Sequence, residues 1–374
     1  VLYMLSAENT GGSEGFYTLT DLTGFDANVS VLGGSSNLNN TGAGSLDATG
    51  NWLLATNQSL AAGAEDVWSL VVTAQVSGAV MDGTTNVSLC ATNSEGYVAG
   101  SGLYNEATLT VSNSTQISTD EDCGEVPPVI VVEKTFESVG AMDSNGVFTV
   151  TYTIDAENTG GSLGYYSAVD TTGFDTNVSV LGATSNLNST GAGPLDGSGN
   201  WLLATNQALD AGAVDSYELV VTAQVSQAVL EGETNVTACL LEENAYVTGN
   251  GLYNEVTLTV SNSTQVSTDE DCGEVPPVIV LDKVFSGATP IDSNGTFEVT
   301  YTLTAENTGG SEGAYSLSDT SGFDTNVSIL GASSNLNSTG AGSLDSSGSW
   351  TLATDLPLAA GDVDSWSLVV TAQV

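Results

Sequence analysis

Only two side chains in this sequence carry a positive charge, Lys134 and Lys283, against 45 Asp and Glu, and neither Arg nor His occurs. Most enzyme chemistry is thereby out of reach. Without imidazole there is no Ser-His-Asp arrangement, and without guanidinium there is no clamp for an oxyanion or a phosphate. Paired carboxylates could cleave glycosides, but so many acids make close pairs common by chance and no cleft is readable. An enzyme is not expected.

The two lysines are themselves informative. Lys134 alternates with Ile130, Val132 and Phe136, and Lys283 with Ile279, Leu281 and Phe285, so in a strand both point into a core. A buried ammonium needs a partner. Asp170 alternates with Tyr166 and Ala168, Asn254 with Leu252, Val256 and Leu258, and Asp319 repeats the place of Asp170. An amine, a carboxyl and a carboxamide meeting in a core have two outcomes. One is a Lys–Asn isopeptide bond, with burial lowering the amine pKa and the acid shuttling protons. The other is a Lys134–Asp170 ion pair with Asn254 hydrogen-bonded beside it.

These residues recur because the chain recurs. Ala7-Glu8-Asn9-Thr10-Gly11-Gly12 returns at Ala156 and Ala305, and Val71-Val72-Thr73-Ala74-Gln75-Val76 at Val220 and Val369, a period of 149 residues over a length of 374. A period this long is a whole domain and not a solenoid coil. Val126-Pro127-Pro128 and Val275-Pro276-Pro277 mark stiff boundaries, giving units at 1–126, 127–275 and 276–374. Val1 aligns with Val150 and Val374 with Val225, both inside strands, so the outer units are expected to be completed by more chain or by a neighbour's strand.

Within 127–275, runs rich in Val, Thr, Tyr and Leu alternate with Gly/Asn/Ser/Asp clusters, and no helical period is sustained. Strands are expected near 129–137, 146–158, 164–171, 177–182, 200–206, 215–225, 234–243 and 252–262, with a polar excursion from Gly182 to Asn200 along one edge. The expected fold class is all-β, as tandem immunoglobulin-like sandwiches.

Cys90 and Cys123 recur as Cys239 and Cys272, read as one disulfide per unit, with the first cysteine in a strand and the second after the last strand. Such pairs imply an oxidising, extracytoplasmic compartment. Trp52, Trp201 and Trp350 share one repeat position, and Trp68, Tyr217 and Trp366 another; core packing is the ordinary reading and a sugar platform the alternative. Asn28, Asn177 and Asn326, then Asn39, Asn188 and Asn337, are recurring Asn-x-Ser/Thr sequons in polar loops and candidate glycosylation sites.

The net charge of −43 removes nucleic acid and anionic membrane as partners and leaves copies of the chain or further repeats of it. No cofactor is implied, save that calcium could offset acidic runs at the Pro-Pro boundaries. Its candidate ligands are Asp120, Asp122, Glu125 and Asp143, then Asp269, Asp271, Glu274 and Asp292, with solvated acid as the competing reading.

The sequence also resembles a family. Lys134 within Val131-Val132-Glu133-Lys134-Thr135, then Val150-Thr151-Tyr152-Thr153, Asn158-Thr159-Gly160, Asp170 and Leu252-Tyr253-Asn254-Glu255-Val256-Thr257 are similar, in order and spacing, to the Asn-Thr-Gly "conserved repeat domain" of large prokaryotic surface and secreted proteins. The resemblance implies an immunoglobulin-like fold and an extracellular or cell-surface role with no activity attached. The Ser/Asn/Gly excursion and the scarcity of basic residues depart from it. A structural module of an extracellular filament or cell-surface stalk is expected; the alternative is an adhesin-type array engaging glycans or calcium.

Overall fold

The computed structural model describes residues 1–38, 42–46, 48–112, 114–187, 194–195, 197, 199–261, 263–336 and 340–374. Strands dominate, and the two helices, Gly78–Met81 and Gln227–Leu230, are single turns capped by Ser77 and Ser226. Among the described residues no helix is long and apolar enough to cross a membrane.

Between residues 127 and 275 the chain forms two antiparallel sheets. One runs Ile130–Val139, Val147–Asn158, Val214–Val225, Val178–Leu187 and Pro194–Leu195 in spatial order. The other runs Asn200–Leu209, Gly164–Thr172, Leu252–Val260 and Val266–Gly273. Period-two burial along Val147–Asn158 turns Phe148, Val150, Tyr152, Ile154 and Ala156 inward. There they join Tyr166, Val256 and Leu258 of the facing sheet in one cluster, so the two sheets share a single core. Trp201 and Tyr217 lie in it, as Trp52, Trp68, Trp350 and Trp366 lie in the cores before and after, which makes them packing residues and not a sugar platform.

The same strand order appears on either side. Leu2–Glu8, Glu65–Val76, Val29–Leu38 and Gly42–Leu46 form one sheet, faced by Ile117–Gly124, Leu103–Val111, Gly15–Thr23 and Asn51–Leu60. After residue 276, Ile279–Ala288, Thr296–Asn307, Val363–Gln373, Ser328–Leu336 and Gly340–Leu344 form one sheet, and Gly313–Thr320 pairs with Ser349–Leu358.

Several expected elements differ. Residues 234–243 are not a sheet strand: the chain leaves the Gln227–Leu230 turn as coil and makes only the two-residue hairpin of Leu241–Glu242 with Ala245–Tyr246. Cys90 and Cys239 consequently sit in coil, while Cys123 and Cys272 lie inside the strands Ile117–Gly124 and Val266–Gly273. Disulfides join Cys90 to Cys123 and Cys239 to Cys272, tethering that coil to the strand. Gly251, at φ +47°, passes beneath the bridge, where a Cβ would stand 2.6 Å from Cys239 Sγ. The strand expected at 177–182 continues to Leu187, because its Ser/Asn stretch pairs with Val214–Val225 on one side and Pro194–Leu195 on the other.

Candidate lysine, aspartate and asparagine centre

Lys134 lies on the edge strand of one sheet, and Asp170 and Asn254 lie on adjacent strands of the facing sheet. Asp170 pairs with Val256 and Thr172 with Asn254, so Asn254 stands diagonal to Asp170, within reach across the ladder. All three side chains are buried, and Lys134 Nζ contacts Asp170 Oδ2 in an ion pair wholly out of solvent. The ammonium end also lies 4.8 Å from the centre of the Tyr152 ring, which Phe136 meets edge-on. Asn254 is on the penultimate strand and not the last one, because Val266–Gly273 follows it at the sheet edge.

The electrostatics favour the neutral forms. Burial drives the Lys134 amine below its ordinary range, against the pull of Asp170, Asp269 and Asp271. Burial also raises the Asp170 carboxyl, which Lys134 opposes and Asn254 opposes from outside hydrogen-bond geometry. Neither Oδ1 nor Nδ2 of Asn254 has a hydrogen-bond partner, and Asp170 Oδ1 has none either. Three orphaned polar atoms in one core pocket are costly unless chemistry explains them.

The repeats supply two controls. In the first unit, Asn105 Nδ2 donates to Asp21 Oδ1 at 2.8 Å, both side chains being buried. In the third, Lys283 contacts Asp319 and lies 4.6 Å over the Tyr301 ring, but its side chain is 35% exposed. The expected inward orientation of Lys283 is therefore only partly realised, since among the described residues no strand covers it there.

A feature invisible to strand propensity encloses the centre. Val266–Gly273 and the residue before it present Gln265, Ser267, Asp269 and Asp271 toward Ile130–Val139. Gln265 Oε1 accepts from the Ile130 N–H at 3.2 Å and Ser267 Oγ from Val132 at 3.1 Å. Asp269 Oδ2 and Asp271 Oδ2 accept from Lys134 and Phe136, each at 2.6 Å. Side chains of one sheet thus satisfy the outward N–H groups of an edge strand of the other. The signal was the i, i+2 spacing of acceptors in Gln265-x-Ser267-x-Asp269-x-Asp271, recurring at Gln116, Ser118, Asp120 and Asp122.

Other candidate calcium ligands serve the backbone too. Asp143 accepts from Asn145 and Val147, Asp292 from Asn294 and Thr296, Glu125 from Cys90 and Glu274 from Cys239. Among the described residues no group of three or more potential ligands gathers. Of the sequon asparagines, Asn28 and Asn177 donate to Asn86 O and Asn235 O, and Asn326 is exposed. Asn39, Asn188 and Asn337 lie outside the described residues.

The Asn-Thr-Gly motif packs against the Pro-Pro segment before it and against the residues of and after each single-turn helix. Thr159 is fully buried; its hydroxyl donates to Val80 O at 2.8 Å and its carbonyl accepts from Val87 N at 3.0 Å. Thr308 repeats this with Val229 O at 2.8 Å and Val236 N at 3.1 Å. The hydroxyl gives a second, shorter bond to a helix-end carbonyl that otherwise accepts only long ones, from Gly83 N at 3.4 Å in the one case and Gly232 N at 3.2 Å in the other. Gly160 is pressed against the Pro-Pro segment, a Cβ there falling 2.4 Å from both Pro127 O and Val129 N, and Gly309 is likewise 2.4 Å from Pro276 O.

No family model and no curated protein matches this chain. Among solved structures it is similar to the full-length major pilin SpaD of Corynebacterium diphtheriae, at 14% identity over 94% of this chain and 74% of that one, TM-score 0.26. A biofilm-associated protein BSP domain aligns at 9% identity over 97% and 92%, TM-score 0.21. An exo-chitosanase of Amycolatopsis orientalis aligns at 8% identity over 80% of this chain but only 27% of its own, TM-score 0.21. Overlaps this loose carry no activity across.

Proposed function

We propose that the chain is a structural repeat module of an extracellular filament or cell-surface stalk, built of tandem immunoglobulin-like sandwiches at 1–126, 127–275 and 276–374. The observation that carries this reading is the repeated joint. Thr159 bonds to the backbone of Val80, Val87 and Val129, Thr308 does the same with Val229, Val236 and Val278, and Gly160 and Gly309 meet the same Pro-Pro backbone. A joint made twice with the same bonds holds each unit to its neighbour in one geometry, which a shaft requires. The disulfides suit an oxidising exterior, and a net charge of −43 keeps neighbouring shafts apart. Its partners are then further repeats of the chain or other copies of it.

Immunogold electron microscopy of native cells, with antibodies raised against residues 127–275, tests the reading. Label along surface filaments or stalks is expected; label confined to the cytoplasm overturns it. Retention of glycans or calcium by the isolated chain, with no surface structure labelled, selects the adhesin-type array instead.

A further inference from the structure

We propose that Lys134 Nζ and Asn254 Cγ become joined by an amide bond that the folded chain forms itself, with Asp170 as proton carrier. The inference goes beyond the stalk reading and stands on the centre alone. A simple buried ion pair would leave the asparagine hydrogen-bonded to the carboxylate, as Asn105 is to Asp21 where no lysine is present. With Lys134 in place, both amide atoms of Asn254 and one oxygen of Asp170 have no partner. Covalent capture of the asparagine removes its orphaned NH2 altogether. A neutral Asp170 offers the one O–H that the orphaned amide oxygen lacks, and burial favours that neutral acid beside a neutral amine.

The step balances within the three side chains. The lone pair of the Lys134 amine adds to Asn254 Cγ while the Asp170 O–H hydrogen-bonds the carbonyl oxygen. A proton of the attacking nitrogen passes through Asp170 to the amide nitrogen, the Cγ–Nδ2 bond breaks, and ammonia leaves. One C–N bond forms, one breaks, and nothing is oxidised. Enclosure by the Asp269 and Asp271 ladder and the Tyr152 ring holds the reactants together and keeps water out. The product ties the edge strand of one sheet to the penultimate strand of the other.

Intact mass spectrometry of the purified 374-residue chain decides the matter. The wild type is expected to be one ammonia lighter than its disulfide-bonded sequence, with a branched peptide linking 130–139 to 252–260. Lys134→Ala and Asn254→Ala are each expected to restore the full mass. Lys283→Ala is expected to leave the loss unchanged, because Lys283 is paired with Asp319 and partly exposed, and among the described residues no asparagine strand faces it. A folded wild type at full mass overturns the proposal, whatever the variants do. So does an ammonia loss that persists in Lys134→Ala, which would place it elsewhere, such as succinimide formation at an Asn-Gly pair.

Discussion

Asp21 shows what the carboxyl of this centre does without a lysine. Burial raises it from 3.8 to about 6, opposed by the hydrogen bond from Asn105, and burial also lifts the Tyr3 phenol beyond its ordinary range, helped by the charges of Asp21 and Asp122. Because the folded value lies above the unfolded one, the native state keeps a proton that the unfolded chain releases. The stabilisation is complete below 3.8 and is lost as pH rises through about 6. Up to about 3 kcal/mol is at stake, since each tenfold change in proton affinity is worth about 1.4 kcal/mol. Denaturant melts read by amide exchange in 103–111 are expected to show the first unit weakening across this window. Asp21→Asn should flatten the slope; an unchanged slope would assign it to other acids.

At the scale of elements, the edge strand Ile130–Val139 depends on borrowed acceptors. Its inward pattern was legible in the sequence, since apolar residues and Lys134 alternate, and so were Val147–Asn158, Gly164–Thr172 and Val214–Val225. Val266–Gly273 was not, because Ser267-Thr268-Asp269-Glu270-Asp271 has little strand propensity and reads as a solvated acidic run beside a Pro-Pro boundary. Its acids are placed by what faces them, which no local window contains. The 234–243 run failed in the opposite sense: its Val and Thr content suits a strand, but it joins neither sheet, Val236 donating to Thr308 O and Cys239 being bridged to Cys272. The three residues of the centre could be named from alternation alone, whereas the orphaned state of Asn254 depends on how two sheets meet. Removing one acceptor tests the ladder. Asp269→Ala leaves the Lys134 N–H without its partner and is expected to cost about 2 kcal/mol, the range for a hydrogen bond to a charged group. Amide exchange of Lys134 should quicken while Val256 and Leu258 stay protected. Equal behaviour of wild type and variant would mean that water replaces the carboxylate without loss.

For the whole molecule, the balance is between like charge and repeated joints. Acids dominate every unit, and at low ionic strength their repulsion acts against any close approach of neighbours. Contact at the junction must come from desolvated groups. Val80, Val87, Val126 and Val129 form one apolar cluster spanning the boundary, into which the Thr159 hydroxyl brings its hydrogen bond to Val80 O. Thr159→Val keeps the shape but leaves that carbonyl only the long bond from Gly83 N at 3.4 Å, costing about 1–1.5 kcal/mol, the net worth of one hydrogen bond. Gly160→Ala acts differently, because its Cβ would meet two backbone atoms at 2.4 Å and neither can turn aside as a side chain would. Both variants are expected to speed exchange of the Val87 amide, which donates to Thr159 O, about tenfold or more at ~1.4 kcal/mol. Amides in 252–260, remote from the joint, should be unaffected, and proteolysis near Pro127 should quicken. If Val87 exchanges as in the wild type in both variants, the units are held by their Pro-Pro linker alone. A shaft of fixed geometry would then lose its main support.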